Sequence, residues 1–148
     1  MDKQNSGKGE GAMSGITRDE TGTVSPPERW EEGKVNVITV DIDEPYKEWT
    51  ENNLKRTREL VYKGVAGVTA AFIRRSSGGN VHIKIHLDHY VTVFESFMIR
   101  AFLCDDAARL ACDLDRYYRT GDLENTGRTF NTKYTRGEVR IAGKWLRF

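Results

Sequence analysis

Residues 81–87 alternate without a break: Val81, Ile83, Ile85 and Leu87 are apolar, and His82, Lys84 and His86 stand between them. Successive side chains of a strand point to opposite faces, so this segment reads as a strand with one buried and one polar side. The turn residues Ser76-Ser77-Gly78-Gly79-Asn80 precede it, and residues 65–75 read as another strand, so the two should form a hairpin. Arg74 and Arg75 then lie just across from the three basic or titratable residues. A chain carrying such a hairpin needs a half-buried, mostly antiparallel sheet with something packed on its apolar side.

The remaining elements follow from their own patterns. Residues 35–43 (VNVITVDID) are a β-rich run bounded by Gly33 and Pro45. Residues 44–62 read as a helix, with Pro45 in its first turn, Tyr46, Trp49, Asn53, Thr57 and Leu60 on one face, and Glu51 and Lys55 placed for an i,i+4 pair. Residues 91–103 carry Phe94, Phe97, Met98, Ala101 and Phe102 at helical core spacing. Asp105 or Asp106 should cap a further helix running to about Arg119, with Leu110, Leu114 and Tyr117 inward and Gly121 as its stop. Residues 129–135 and 138–148 read as two strands about a turn at Arg136-Gly137. The order β-α-β-β-α-α-β-β predicts an α+β fold: a mostly antiparallel sheet of RNA-recognition or ferredoxin-like type, with helices on one face.

At 148 residues the chain is the size of one domain. We expect a polar, disordered N-terminal tail over residues 1–33, rich in glycine and without apolar period, and a single folded domain over 34–148. Arg29 and Trp30 are candidates to dock the tail on the domain. No apolar run approaches the roughly 18–20 residues that span a bilayer, and the N-terminal residues lack the apolar core of a secretory signal. Cys104 and Cys112, eight residues apart in helical sequence, sit ~12 Å apart by helical rise, too far for a disulfide, and no zinc spacing accompanies them. Unpaired thiols fit a reducing compartment, so the expected location is cytoplasmic, away from membranes.

Three groups of residues could carry chemistry. Asp41 and Asp43 end the first strand in a D-x-D pattern, which puts both carboxylates on one side about 7 Å apart at Cα, a spacing that suits one or two divalent cations. The alternative is that Asp43 caps the following helix and Asp41 is merely solvated. His82, Lys84, Arg74 and Arg75 beside the glycine-rich turn make a candidate phosphate seat, because exposed amides and cations converge there; an ordinary hairpin with a solvated polar face is the other reading. His86 and His89 extend a histidine run that could hold zinc, though no helix or cysteine arranges the imidazoles.

The third group is C-terminal. Between residues 128 and 148 stand Arg128, Lys133, Arg136, Arg140, Lys144 and Arg147 against Glu138 alone, interleaved with Phe130, Tyr134, Trp145 and Phe148. Cations that track a backbone and aromatics that stack bases are what a single-stranded nucleic-acid groove uses. Strand alternation puts Val139, Ile141 and Trp145 on one side and Arg140, Lys144 and Phe148 on the other, which makes Trp145 a core residue rather than a platform. Asp105, Asp106, Asp113 and Asp115 crowd the last helix, so a net charge of +1 is expected to hide a polarised surface.

The succession V-I-T-V-D-I-D, helix, then R-R-S-S-G-G-N-V-H-I-K-I resembles the archaeo-eukaryotic primase superfamily over residues 35–85. That family has an hhhDhD strand and an S-x-G-x-x-H-h-type strand on an RNA-recognition-like catalytic sheet. The resemblance implies that Asp41 and Asp43 match its metal-binding pair, taking Mg²⁺ or Mn²⁺, and that His82 matches the histidine on the incoming nucleotide's phosphates. The family's third aspartate has no counterpart in either C-terminal strand, which is what a reduced member would show if it kept the nucleic-acid surface and lost or shares the chemistry.

The expected function is therefore binding of single-stranded DNA or RNA, with DNA as the first reading, in a replication setting. Arg74, Arg75, Lys84, Arg140 and Lys144 would supply charge, Phe130 and Tyr134 would stack, and no cofactor would be required. The alternative is a primase-type nucleotidyltransferase using Asp41, Asp43 and His82 with Mg²⁺ or Mn²⁺. A second alternative is a protein-interaction adaptor without nucleic acid. A homodimer, or a partner from replication, is compatible with the first two.

Overall fold

The computed structural model describes residues 17–18, 24–25, 33–123, 126–127 and 132–148. Two short strands, β1 (Thr17–Arg18) and β2 (Val24–Ser25), pair antiparallel within the stretch read from sequence as a tail; the rest of that stretch up to residue 32 lies outside the described residues. From there the order is β3 (Lys34–Pro45), a 3₁₀ turn (Tyr46–Glu48), α1 (Glu51–Gly64), β4 (Val68–Arg75), β5 (Asn80–Thr92), α2 (Val93–Phe102), α3 (Ala107–Thr120), β6 (Thr132–Thr135), β7 (Glu138–Ile141) and β8 (Leu146–Arg147). The protein is α+β: the described residues form three α-helices, an antiparallel sheet ordered β3-β5-β4-β8, and small β1-β2 and β6-β7 sheets.

β3 and β4 both run antiparallel to β5, which lies between them. They are thus parallel to each other and joined by α1, the split β-α-β arrangement expected from sequence. One face of the sheet is apolar. Ile38, Val40 and Ile42 of β3, Ala71 and Ile73 of β4, and Val81, Ile83, Ile85 and Leu87 of β5 are all buried, and they pack with Val61 and Val65 at the end of α1 and Leu103 after α2. Val93, Phe97, Tyr117 and Tyr118 form a second cluster between α2 and α3.

Several boundaries differ from those the sequence suggests, each for a local reason. The helix expected over residues 44–62 starts only at Glu51. β3 continues to Pro45, which pairs with Asn80, and Thr50 makes a reciprocal capping box with Asn53. Thr50, not Asp43, is thus the cap of α1. β5 runs five residues past Leu87 because Val91 and Thr92 pair with Val35 and Lys34 across a register shift. Thr92 then caps α2, accepting from the Glu95 amide while the Glu95 carboxylate accepts from the Thr92 amide. Thr92→Ala should cost about 1 kcal/mol of stability in urea denaturation, and a change below about 0.3 kcal/mol would show that α2 is held by its packing alone.

The stripe on α2 also turns. Val93, Ser96, Phe97 and Arg100 are buried, whereas Met98 and Phe102, read as core, are 58% and 49% exposed. Arg100 takes the inward place because two acids meet it. Its Nε donates to Asp105 at 2.5 Å and its Nη2 to Asp113 at 2.7 Å, and Arg109 also reaches Asp105 at 2.7 Å. The acids expected to crowd an exposed surface are thus partly internal. Asp106 is the cap of α3, and Gly121, at φ 67°, ends it as expected.

This buried network closes the outer edge of β3. The Asp41 amide donates to Asp105 Oδ1 at 2.9 Å, and the Asp106 amide donates to the Asp41 carbonyl at 2.7 Å. Arg109 donates to the Gly127 carbonyl at 2.8 Å, and the Thr39 hydroxyl donates to the same carbonyl. An exposed edge strand would invite pairing with another chain; here the α2–α3 turn meets that backbone instead.

The C-terminal reading changes most. β6 and β7 pair around Arg136 and Gly137, both at positive φ (45° and 80°), as a type I′ turn requires. Residues 129–131, the expected start of this strand, lie outside the described residues. The expected single strand over 138–148 is broken: β7 stops at Ile141, and β8 adds to the main sheet beside Phe72 and Ile73 of β4. The break resets the alternation. Phe148 packs against the core, while Val139 and Ile141 are exposed.

Candidate nucleic-acid interface

The polar face of the sheet is built by the same alternation that builds the core. Because Ile42, Ile73, Val81 and Ile83 point inward, their neighbours Asp41, Arg74 and His82 must point outward on the other side. The register places these three in one row across the strands, Asp41 opposite His82 and His82 opposite Arg74. The next row holds Thr39, Lys84, Phe72 and Arg147. Asp41, His82, Arg74 and Lys84, proposed from sequence, therefore share one face.

The row is tightly connected. Arg74 Nε donates to His82 Nδ1 at 3.2 Å, so Nδ1 is the acceptor of this pair. The other ring nitrogen is Nε2. That Nε2 faces Asp41 Oδ1 at 3.6 Å. His82 and Arg74 are both buried, each 4% exposed. His82 thus lies between Asp41 and Arg74, hydrogen-bonded through Nδ1 and with Nε2 turned toward the carboxylate. Asp43 accepts from the Asn80 side chain at 2.8 Å at the end of the same face.

Trp145 covers the cations, contrary to its expected place in the core. The Arg74 guanidinium lies 4.2 Å and the Lys84 ammonium 4.5 Å from its ring centroid, and Lys84 also lies 5.2 Å from Phe72. Cation–π contacts of this kind hold charge beneath an aromatic surface. Burial pulls the Arg74 pKa below its ordinary value. Burial, and then the neighbouring Arg74 charge, does the same to Lys84. Among the described residues no carboxylate lies within ion-pair distance of the Lys84 ammonium.

Arg75 points the other way and anchors the C-terminal segment: its Nη2 donates to the Ile141 carbonyl at 3.2 Å, and its carbonyl accepts from the Gly143 amide at 2.8 Å. A cleft opens beside it, lined by Arg75, Ser77, Gly78, Gly79, Arg140 and Ile141. The Gly79 amide donates to the Ser76 carbonyl and the Asn80 amide to the Ser76 hydroxyl, whereas the Ser77 and Gly78 amides have no hydrogen-bond partner among the described residues. Arg140 and Lys144 are exposed, Tyr134 is 79% exposed, and Phe130 lies outside the described residues.

As a metal site the face offers Asp41 and Asp43, a number of carboxylates that suits Mg²⁺ when substrate phosphates supply further oxygens. Among the described residues no group of three His, Cys, Asp or Glu side chains converges. This includes His86 and His89, whose zinc reading finds no third donor; His89 Nδ1 instead contacts Asp88 at 2.7 Å. No helix of the described residues is long and apolar enough to cross a membrane.

Two participants escaped the sequence: Trp145 and Phe72. The signal for Trp145 was Ala142-Gly143, a break in the strand pattern after which facing cannot be extrapolated. Comparison with protein families, curated proteins and solved structures finds no match to this chain.

Proposed function

We propose that this chain binds single-stranded nucleic acid, DNA foremost, on the polar face of its sheet, as a small protein related to primase-type replication domains. The observation that carries the reading is Lys84. Its ammonium is partly desolvated, lies over the Trp145 and Phe72 rings and beside a second cation, and has no carboxylate partner among the described residues. A phosphate there relieves the repulsion between Lys84 and Arg74. Trp145 above both cations offers a base a stacking surface, and the cleft at Ser77–Gly79, with Arg75 and Arg140, offers the next phosphate a seat of amides and guanidinium groups.

Titrating labelled single-stranded and duplex oligonucleotides at two ionic strengths, with and without Mg²⁺, tests this. With about four phosphate contacts, log K should fall against log salt with a slope of about −3 for a single strand. Binding that ignores salt, or its absence at low salt, would sink the proposal.

A second reading rests on the register that sets Asp41 opposite His82, the residues that the primase resemblance would make a metal ligand and a phosphate contact. Asp41 and Asp43 are what this chain would offer to Mg²⁺ or Mn²⁺, which would neutralise charge on a departing pyrophosphate. Nucleotide incorporation that requires metal and is lost in Asp41→Ala, with strand binding retained, would favour it.

A further inference from the structure

Trp145 covers Arg74 and Lys84, which stand in the first two rows of the polar face, but the face continues beyond it. In the second row Phe72 is opposed by Lys84 on one side and by Arg147 on the other. Directly opposed residues of antiparallel strands share a side, so the Phe72 ring stands between two cations on one face. The Lys84 ammonium lies 5.2 Å from its centroid, and Arg147 is exposed. The third row, about 7 Å further along β5, holds His86, whose ring lies 5.4 Å from that of Phe72 at a tilt of 57°. Phe72 and His86 are both half-buried, and Phe72 belongs to neither apolar cluster. The His86 ring nitrogens have no hydrogen-bond partner among the described residues. Core packing therefore does not account for these two rings.

We propose that Phe72 and His86 form a second base subsite, where the nucleotide next to the one on Trp145 stacks on Phe72 while Lys84 and Arg147 meet the flanking phosphates. The row itself chooses this occupant. It sets a ring between two cations on the same face, and its remaining member is Thr39, so it holds no carboxylate. A base between two phosphates fills that pattern, whereas an apolar protein segment would cover the ring and leave both charges uncompensated. The free imidazole of His86 offers the edge of the stacked base a hydrogen-bonding partner. The two subsites together run the strand along β5, from the glycine-rich turn toward His86. The inference rests on the sheet-face binding proposed above and adds a second stacked base to it.

Fluorescence anisotropy of the full chain with a labelled oligo(dT) octamer tests this. Phe72→Leu keeps an apolar side chain but removes the ring, and should weaken binding roughly 5- to 150-fold. Arg147→Gln should make the salt slope shallower by about 0.7, the share of one phosphate on a single strand. Photocrosslinking of the unaltered chain to the same octamer, with 5-iodouracil at each position in turn, should map adducts to Phe72 or His86 as well as to Trp145. Where Phe72→Leu also lowers the melting temperature, these adducts decide. Adducts on Trp145 alone, full affinity in Phe72→Leu, or an unchanged slope in Arg147→Gln would overturn the second subsite and leave the sheet face standing. An octamer that fails to bind the unaltered chain at low salt would overturn both.

Discussion

Asp105→Ala will lower the stability of this protein by about 3–5 kcal/mol, read as a shift of the urea midpoint at unchanged slope. Asp105 is 8% exposed, and its two oxygens serve Arg100, Arg109 and the Asp41 amide together. Removing it leaves the Arg100 side chain, itself only 3% exposed, without one of its two counter-charges and leaves a strand amide without an acceptor. Breaking a buried pair from one side costs far more than the pair contributes over apolar residues, because the surviving charge stays buried. Asp105→Asn keeps an oxygen for the Asp41 amide and should lose less than alanine. A loss under about 1 kcal/mol for Asp105→Ala would mean that water reaches these guanidinium groups and that the edge of β3 holds without them.

Trp145→Ala will weaken a single-stranded oligonucleotide roughly 5- to 150-fold, the range that one base–aromatic stack contributes. Its ring lies over both Arg74 and Lys84, so the substitution removes a stacking surface and lets water back onto two cations. Trp145→Phe retains a ring and should recover most of the affinity. The salt slope should change little in either variant, since no charge is removed. Fluorescence anisotropy at two salt concentrations reads both quantities. Unchanged affinity in Trp145→Ala, with thermal stability intact, would show that no base stacks at this position.

The sheet was legible because period-two patterning is local. Val81 to Leu87 announce their own two faces, and the hairpin through Ser77-Gly78-Gly79 follows from turn chemistry alone. The clustering of Asp41, His82, Arg74 and Lys84 followed once β3 and β4 were laid on either side of β5. Arg100 was not legible in this way. The core spacing read on this helix did not include it, and its burial depends on Asp105 and Asp113, acids contributed from beyond the end of α2. Met98 and Phe102 lost their expected places to the same rotation.

By itself the sequence determined which side chains share a strand face, that the last helix starts at Asp105 or Asp106 and stops at Gly121, and that the fold would be α+β, since each depends on neighbours a few residues away. Only the tertiary structure decided that the chain leaves β7 at Ile141 and returns beside β4, because that choice is made by strands some 70 residues apart. That return carries Trp145 from an expected core position onto the cations of the polar face and sends Phe148 inward instead.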